Sequence, residues 1–205
     1  MTTILEITSS PRGSASRSNQ LVRELSDALQ DRHPGARVVR RDLAADPVLA
    51  LDADLLGAFF ASERTPLQAR LVAQSDALIA EIQAADVVVL GIPMYNFSVP
   101  TQLKSYFDAI ARAGLTFRYT PNGPEGLLRG KQVYVVFTRG GKHRGTSSDV
   151  QTPYVRQFLG FVGLTDVELV FAEGLDMGPE ALAAGLAEAR RDIARLTAAP
   201  SARAA

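Results

Sequence analysis

The chain has 205 residues, and its 22 Lys and Arg balance its 22 Asp and Glu. That length suits one α/β domain, and a neutral chain has no global field to draw it to nucleic acid or to a membrane surface. The lack of cysteine excludes disulfides, thiolate catalysis and cysteine-ligated metal, and it fits a reducing compartment.

The start, Met1-Thr2-Thr3-Ile4-Leu5-Glu6-Ile7, has neither a basic n-region nor a long apolar h-region, so it does not read as a signal peptide. No apolar run approaches the ~20 residues of a membrane span. A soluble cytoplasmic protein is expected.

Strand-like and helix-like segments then alternate. Thr3 to Thr8 reads as the first strand. Leu21, Val22, Leu25, Ala28 and Leu29 fall at helical spacing, and His33-Pro34-Gly35 stops that helix. Arg37 to Leu43 is a second strand with polar flanks, nearer a sheet edge. Between Pro47 and Arg64, Leu55, Leu56, Phe59 and Phe60 suggest a short helix or a lid-like insertion. Leu67, Leu71, Leu78 and Ile82 mark a longer helix. Asp86 to Ile92 is a β-branched apolar run, the pattern of a strand buried on both faces. Leu103, Tyr106, Phe107 and Ile110 share a helical face. The stretch from Leu115 to Gly130 reads as an ordered excursion. Lys131 to Thr138 is another buried strand, and Val155, Phe158, Leu159 and Val162 form a helix face. Val167 to Ala172 is the last strand, followed by a helix through Leu182, Leu186, Ile193 and Leu196.

These segments predict one domain over residues 1–197 and a frayed tail over 198–205. The fold class is α/β: a flavodoxin-like, doubly wound, five-stranded parallel sheet of order 2-1-3-4-5 with helices on both faces. Ligands of such sheets sit beyond the carboxyl ends of the strands, at the switch point between strands 1 and 3. The loops after strands 1, 3 and 4 therefore hold the chemistry.

The loop after strand 1, Thr8 to Asn19, packs six hydroxyl residues and two arginines into twelve positions and opens a helix. First-turn N–H groups and the helix dipole favour an anion. Neither Gly-x-Gly-x-x-Gly nor Gly-Lys-Ser/Thr is present, so a monophosphate fits better than a pyrophosphate or a triphosphate. The competing reading is a polar turn in which Ser16 or Ser18 only caps the helix. After strand 3 comes Gly91-Ile92-Pro93-Met94-Tyr95-Asn96-Phe97-Ser98. Aromatics in such a loop need a partner surface, either a planar ligand or the core. After strand 4, Thr138-Arg139-Gly140-Gly141 lets backbone approach a ligand closely. His143 follows, either steadying negative charge there or simply solvated, and His33 reads as a solvated helix-end residue.

These loops together resemble the FMN-dependent NADH azoreductase (NADH:quinone oxidoreductase) family. The resemblance is carried by Met94 to Phe97 with Gln102-Leu103-Lys104 and Tyr106-Phe107-Asp108, and by Ala113 to Thr120 with Asn122 to Leu127. Thr138 to Gly141, Thr152-Pro153-Tyr154, Phe158 to Phe161 and Phe171 to Gly174 extend it along nearly the whole chain. It implies a homodimer with one FMN per subunit at the interface, NADH as electron donor, and quinones and azo compounds as acceptors.

The resemblance also implies site residues. Ser10, Ser16, Arg17 and Ser18 would surround the phosphate. Pro93, Met94, Tyr95, Asn96 and Phe97, with Thr138, Arg139, Gly140 and Gly141, would contact the ribityl chain and ring. Tyr119 and Phe161 would wall the substrate pocket, in part from the other subunit. No metal site is expected. Arg17 stands where many relatives have an uncharged residue, and Thr138 where Ser is common.

The flavin does the chemistry in such enzymes: a hydride from the nicotinamide, then two electrons to an acceptor on the same face, with two cycles for full cleavage of an azo bond. No side-chain nucleophile is required. A flavodoxin-type electron carrier is the alternative, although a carrier's docking face tends to be charged. A receiver-like signalling domain would want an acidic cluster after strand 1, which Thr8-Ser9-Ser10 does not supply.

Overall fold

The computed structural model describes residues 1–198; the rest of the expected tail, 199–205, lies outside the described residues. Seven strands and six α-helices follow one another in the order β1 (Thr3–Thr8), α1 (Arg17–Arg32), β2 (Arg37–Asp42), α2 (Ala53–Phe60), α3 (Pro66–Ala84), β3 (Val87–Pro93), α4 (Thr101–Ile110), β4 (Phe117–Thr120), β5 (Gly123–Gly126), β6 (Gln132–Thr138), α5 (Gln151–Val162), β7 (Asp166–Ala172) and α6 (Pro179–Thr197). The main sheet is parallel with order β2-β1-β3-β6-β7. Numbering only its five strands gives 2-1-3-4-5, as the alternation of segments predicts.

Side-chain alternation along each strand feeds two cores. Ile4 of β1 faces one side, with Leu21, Val22, Leu25 and Leu29 of α1 and Ala189 and Ile193 of α6. Leu5 and Ile7 face the other, with α3, α4 and α5. All seven residues of β3 are buried, as befits the central strand of a doubly covered sheet. Burying each such Val, Leu or Ile side chain contributes ~1.5–3 kcal/mol.

Helix ends follow local chemistry. Thr65 and Gln68 form a reciprocal capping box before Pro66 at the start of α3. The segment from Pro47 to Arg64 resolves into an ordered turn and the short helix α2, capped by Asp52.

The excursion over 115–130 contains an antiparallel hairpin, β4 with β5, which the sequence reading left without strands. It docks by its second strand. A Cβ on Gly126 would lie 2.0 Å from the backbone N of Gly163. Gly163 itself ends α5 in the left-handed region at φ 97°. Two glycines thus let the hairpin backbone meet the end of a helix.

Candidate active site

The ends of β1, β3 and β6 are drawn together at the switch point. Ser9 Oγ donates to the carbonyl of Gly91 at 2.8 Å, and Met94 N–H donates to the carbonyl of Thr138 at 2.9 Å. Gly91 lets α1 approach, since a Cβ there would stand 2.9 Å from a methyl of Val22. The result is a cleft of about 300 Å³ whose lining includes Ser10, Arg12, Ser16, Arg17, Pro93, Met94, Tyr95, Thr138, Arg139, Gly140 and Asp176.

One end of this cleft is built from donors. Ser16 caps α1, accepting from Asn19 N–H at 3.4 Å. Its hydroxyl lies 2.9 Å from that of Ser18, which is fully buried beneath it. Among the described residues the N–H groups of Arg17 and Ser18 have no partner, as the first turn of a helix dictates. The Ser16 side chain caps the helix, and the free first-turn N–H groups are the donors that the anion-binding reading requires. The guanidinium of Arg17 bonds Gln20 Oε1 at 3.1 Å and is exposed.

The other end is a strained turn. Tyr95 and Ser98 exchange backbone hydrogen bonds of 3.0 Å in both directions. Between them Asn96 (φ 48°) and Phe97 (φ 66°) are both left-handed. That conformation costs a non-glycine residue ~1–2 kcal/mol, and such strain gathers at functional sites. The turn leaves the Asn96 and Phe97 N–H groups without partners among the described residues and keeps Phe97 55% exposed.

Asn96, Phe97, Gly141 and His143 form a lip beside the cleft. The rings of Phe97 and His143 meet edge-on at 5.8 Å. His143 Nδ1 pairs with Ser148 Oγ at 2.9 Å. Its Nε2 lies 2.9 Å from the position of a Cβ on Gly141.

Three of the expected site residues need a closer account. Arg139 borders the cleft, but its guanidinium is 0% exposed. It donates to Glu173 at 3.0 Å, Asp149 at 2.9 Å, Thr152 at 2.7 Å and Gln151 at 3.3 Å. Its backbone N–H is taken by the carbonyl of Ala172, so all but one of its N–H groups are engaged within the protein.

Tyr119 and Phe161 do not reach the cleft of their own chain. Docking of the hairpin on α5 carries Tyr119 to a separate cavity of about 860 Å³ that also meets Leu56, Phe59, Phe60 and Arg112. Phe161 packs on Phe117, ring centroids 4.4 Å apart.

Sequence reasoning missed Asp149, Gln151 and Glu173. One signal pointed to Glu173. The β6–β7 register pairs Thr138 with Ala172, so Arg139 and Glu173 are opposite charges on the first residues past two neighbouring strands. Glu173 also accepts from the N–H groups of His143 and Arg144, both at 2.9 Å. Asp149 is held below the usual carboxylate range. Burial opposes this, but the Thr152 N–H and Arg139 together outweigh it.

The fit to a flavin mononucleotide follows from this donor set. A phosphate needs donors at one end of the cleft, and two free helix N–H groups, the Ser10 hydroxyl and two arginines provide them. A flat heterocycle with a polar edge needs backbone donors and an exposed aromatic face, which the 95–98 turn provides. A doubly wound sheet with such a cradle at its switch point is the nucleotide-binding class of flavodoxin-like proteins.

Comparison with known proteins agrees. A family model described as a flavodoxin-like fold matches residues 2–196. The FMN-dependent NADH:quinone oxidoreductase 6 of Burkholderia lata is 61% identical over 196 residues, covering 95% of this chain and 99% of that protein. The FMN-dependent NADH:quinone oxidoreductase of Aromatoleum aromaticum is 56% identical over 192 residues, covering 93% and 96%. The crystal structure of the azoreductase from Bacillus anthracis str. Sterne superposes with a TM-score of 0.85 at 30% identity, covering 95% of this chain and 100% of that one. The chain belongs to the flavodoxin-like family of FMN-dependent NADH:quinone oxidoreductases and azoreductases.

Proposed function

We propose that the chain is an FMN-dependent NADH:quinone oxidoreductase that also cleaves aromatic azo bonds, a reading carried by the free first-turn N–H groups of Arg17 and Ser18 opposite the left-handed Asn96-Phe97 turn. FMN held there would supply two-electron redox chemistry between NADH and the acceptor. The protein's part is position and electrostatics. Ser10, Arg12, Arg17 and the start of α1 hold the phosphate. Pro93 to Phe97 and Thr138 to Gly141 set the ring, with the N–H groups of Asn96 and Phe97 toward its polar edge.

Exposed Tyr95 and Phe97 stand beside the cleft, where nicotinamide and acceptor would stack on the flavin in turn, so that both substrates use one face. His143, with Nδ1 paired with Ser148 Oγ, keeps Nε2 toward Gly141.

We further propose that a second copy of the chain completes the substrate pocket. Tyr119 and Phe60 are each 77% exposed beside the large cavity, and aromatic surface of that kind wants a partner. This reading also explains why Tyr119 stands so far from its own cleft. A cytoplasmic enzyme without nucleic-acid partners fits the neutral charge and the lack of cysteine. No helix among the described residues is long and apolar enough to cross a membrane.

The test is an absorption spectrum of the purified protein. A flavin band that bleaches on adding NADH and returns on adding a quinone supports the reading. A colourless protein that does not take up added FMN refutes it, and a band that NADH cannot bleach favours an electron carrier. Sedimentation velocity tests the dimer separately, with a monomer at micromolar concentration as the refuting result.

A further inference from the structure

Gln151 opens α5 and is 1% exposed. Its side-chain amide makes three hydrogen bonds. Nε2 donates to the carbonyl of Pro93 at 3.1 Å and to the carbonyl of Ser98 at 3.0 Å. Oε1 accepts from Arg139 Nε at 3.3 Å. Two acceptors on one side and an obligate donor on the other allow only one orientation of the amide.

Pro93 and Ser98 are the two ends of the segment that carries Met94, Tyr95, Asn96 and Phe97. Gln151 therefore clasps both feet of the left-handed turn. The clasp has a firm base, because α5 is fixed in the core by Val155, Leu159 and Val162, and Arg139 is fixed by Asp149, Glu173 and Thr152. The loops after β3 and β6 and the start of α5 are thus one hydrogen-bonded body. The cradle around α1 has no part in it.

We propose that Gln151 is a positioning residue for the flavin ring. It holds the 94–97 turn in its strained conformation against the ring, and so sets how tightly the ring binds and at what potential it works. No other side chain of similar size does this. Glu would set a carboxylate oxygen against two carbonyl oxygens, and Leu would fill the space with no hydrogen bond. The inference rests on the FMN reading and separates the two ends of the cleft: Gln151 governs the ring end, and Ser18 and Arg17 govern the phosphate end.

The experiment uses the full chain with Gln151→Glu, Gln151→Leu and, as a contrast, Ser18→Ala. Dissociation constants are measured for FMN and for riboflavin, which lacks the phosphate. At saturating FMN, the midpoint potential and the visible circular dichroism of the bound flavin are recorded. Losing two neutral hydrogen bonds is expected to weaken both flavins by about five- to a hundredfold. The ratio of the two constants stays at the wild-type value, and the saturated Gln151 variants show a shifted potential and an altered visible dichroism. Ser18→Ala weakens FMN alone.

Should Gln151→Glu fail to fold, Gln151→Leu carries the test, since it preserves volume in a buried position. Variants that bind both flavins as tightly as wild type overturn the proposal. So does weakened binding with unaltered potential and dichroism at saturation, which would mark Gln151 as a support for the fold alone. A wild type that binds neither flavin removes the FMN reading and this inference together. A wild type that binds both, beside unaffected variants, removes this inference only.

Discussion

Replacing Arg139 with Met tests the buried centre beneath the site. The guanidinium is fully enclosed and bridges two carboxylates, Asp149 and Glu173. Removing one partner of a buried ion pair costs ~3–5 kcal/mol, because the other charge is left without compensation. Here the remaining groups keep some donors: Glu173 still accepts from the N–H groups of His143 and Arg144, and Asp149 from Thr152 N–H. Met also fills most of the vacated space. The cost therefore falls at the low end, and about 3 kcal/mol corresponds to a fall in Tm of roughly 6–12 °C for a chain of this size.

The loss depends on pH with a definite sign. The Asp149 carboxyl is held below its ordinary value of 3.8 in the folded chain. A depressed carboxyl pKa gives stability that is fully present above the unfolded value and is lost as pH falls through the folded one. The Tm gap between wild type and Arg139→Met should hold steady well above the ordinary carboxyl value of 3.8 and narrow as pH falls below it, where Asp149 takes up a proton in the folded chain. Scanning calorimetry across that range measures it. A gap below about 2 °C at neutral pH, less than 1 kcal/mol for such a chain, would refute the buried-centre argument. A gap that does not narrow in acid would refute the part assigned to Asp149.

Three further outcomes follow from the geometry. Ser18→Ala together with Arg17→Ala should weaken FMN by about ten- to a hundredfold, the worth of a lost charge-assisted contact, while riboflavin affinity stays unchanged in a fluorescence titration. Phe97→Gly removes a left-handed phenylalanine, so the flavin-free protein should melt no lower than wild type although flavin binding weakens, as paired melting and titration curves would reveal. Gly126→Ala drives a methyl into the backbone of Gly163. It should cost ~1–3 kcal/mol or more and expose the hairpin to limited proteolysis, with sedimentation showing whether the dimer loosens as well.

The sheet was legible in the sequence because its strands obey simple rules. The uninterrupted apolar runs at Val87–Ile92 and Val133–Phe137 suit a strand covered on both faces, and polar Arg37–Asp42 suits an edge. The hairpin was less legible. Asn122-Gly123 is a turn signal, but Gly123-Pro124-Glu125-Gly126 has no strand pattern of its own, and only its docking on Gly163 makes it one. The site divides in the same way. Hydroxyls before a helix can be read as a cradle, since a helix start always leaves N–H groups free. The direction of a side chain just past a strand cannot be read that way, because it depends on which neighbour bears the opposite charge. Arg139 therefore read as a ligand contact, whereas the register sets Glu173 beside it and engages its guanidinium there. Gln151 was hidden for a related reason: its partners are main-chain carbonyls, which no residue pattern advertises.

The two ends of the cleft solve opposite problems. A phosphate brings charge with it, and free amides and hydroxyls can meet that charge with little need of exact shape, so the α1 end needs only a capped helix. A flavin ring brings little charge. Its affinity and potential depend on where a few backbone groups stand relative to its edge, and loop backbone holds such positions only when something rigid fixes it. That difference accounts for a fully buried arginine under the ring end. Arg139 presents donors in several directions at once. It reaches Asp149, Glu173, Thr152 and Gln151 from the end of one strand, and through Gln151 it reaches the strained turn. An apolar residue there would pack as well, and the general behaviour of buried ion pairs says a fully apolar replacement need not be less stable. It would leave Gln151 Oε1 without its donor, so that the amide clasping the two carbonyls of the turn is held from one side only. The buried charge is thus better explained by where it sets the Asn96-Phe97 turn than by what it adds to the stability of the fold.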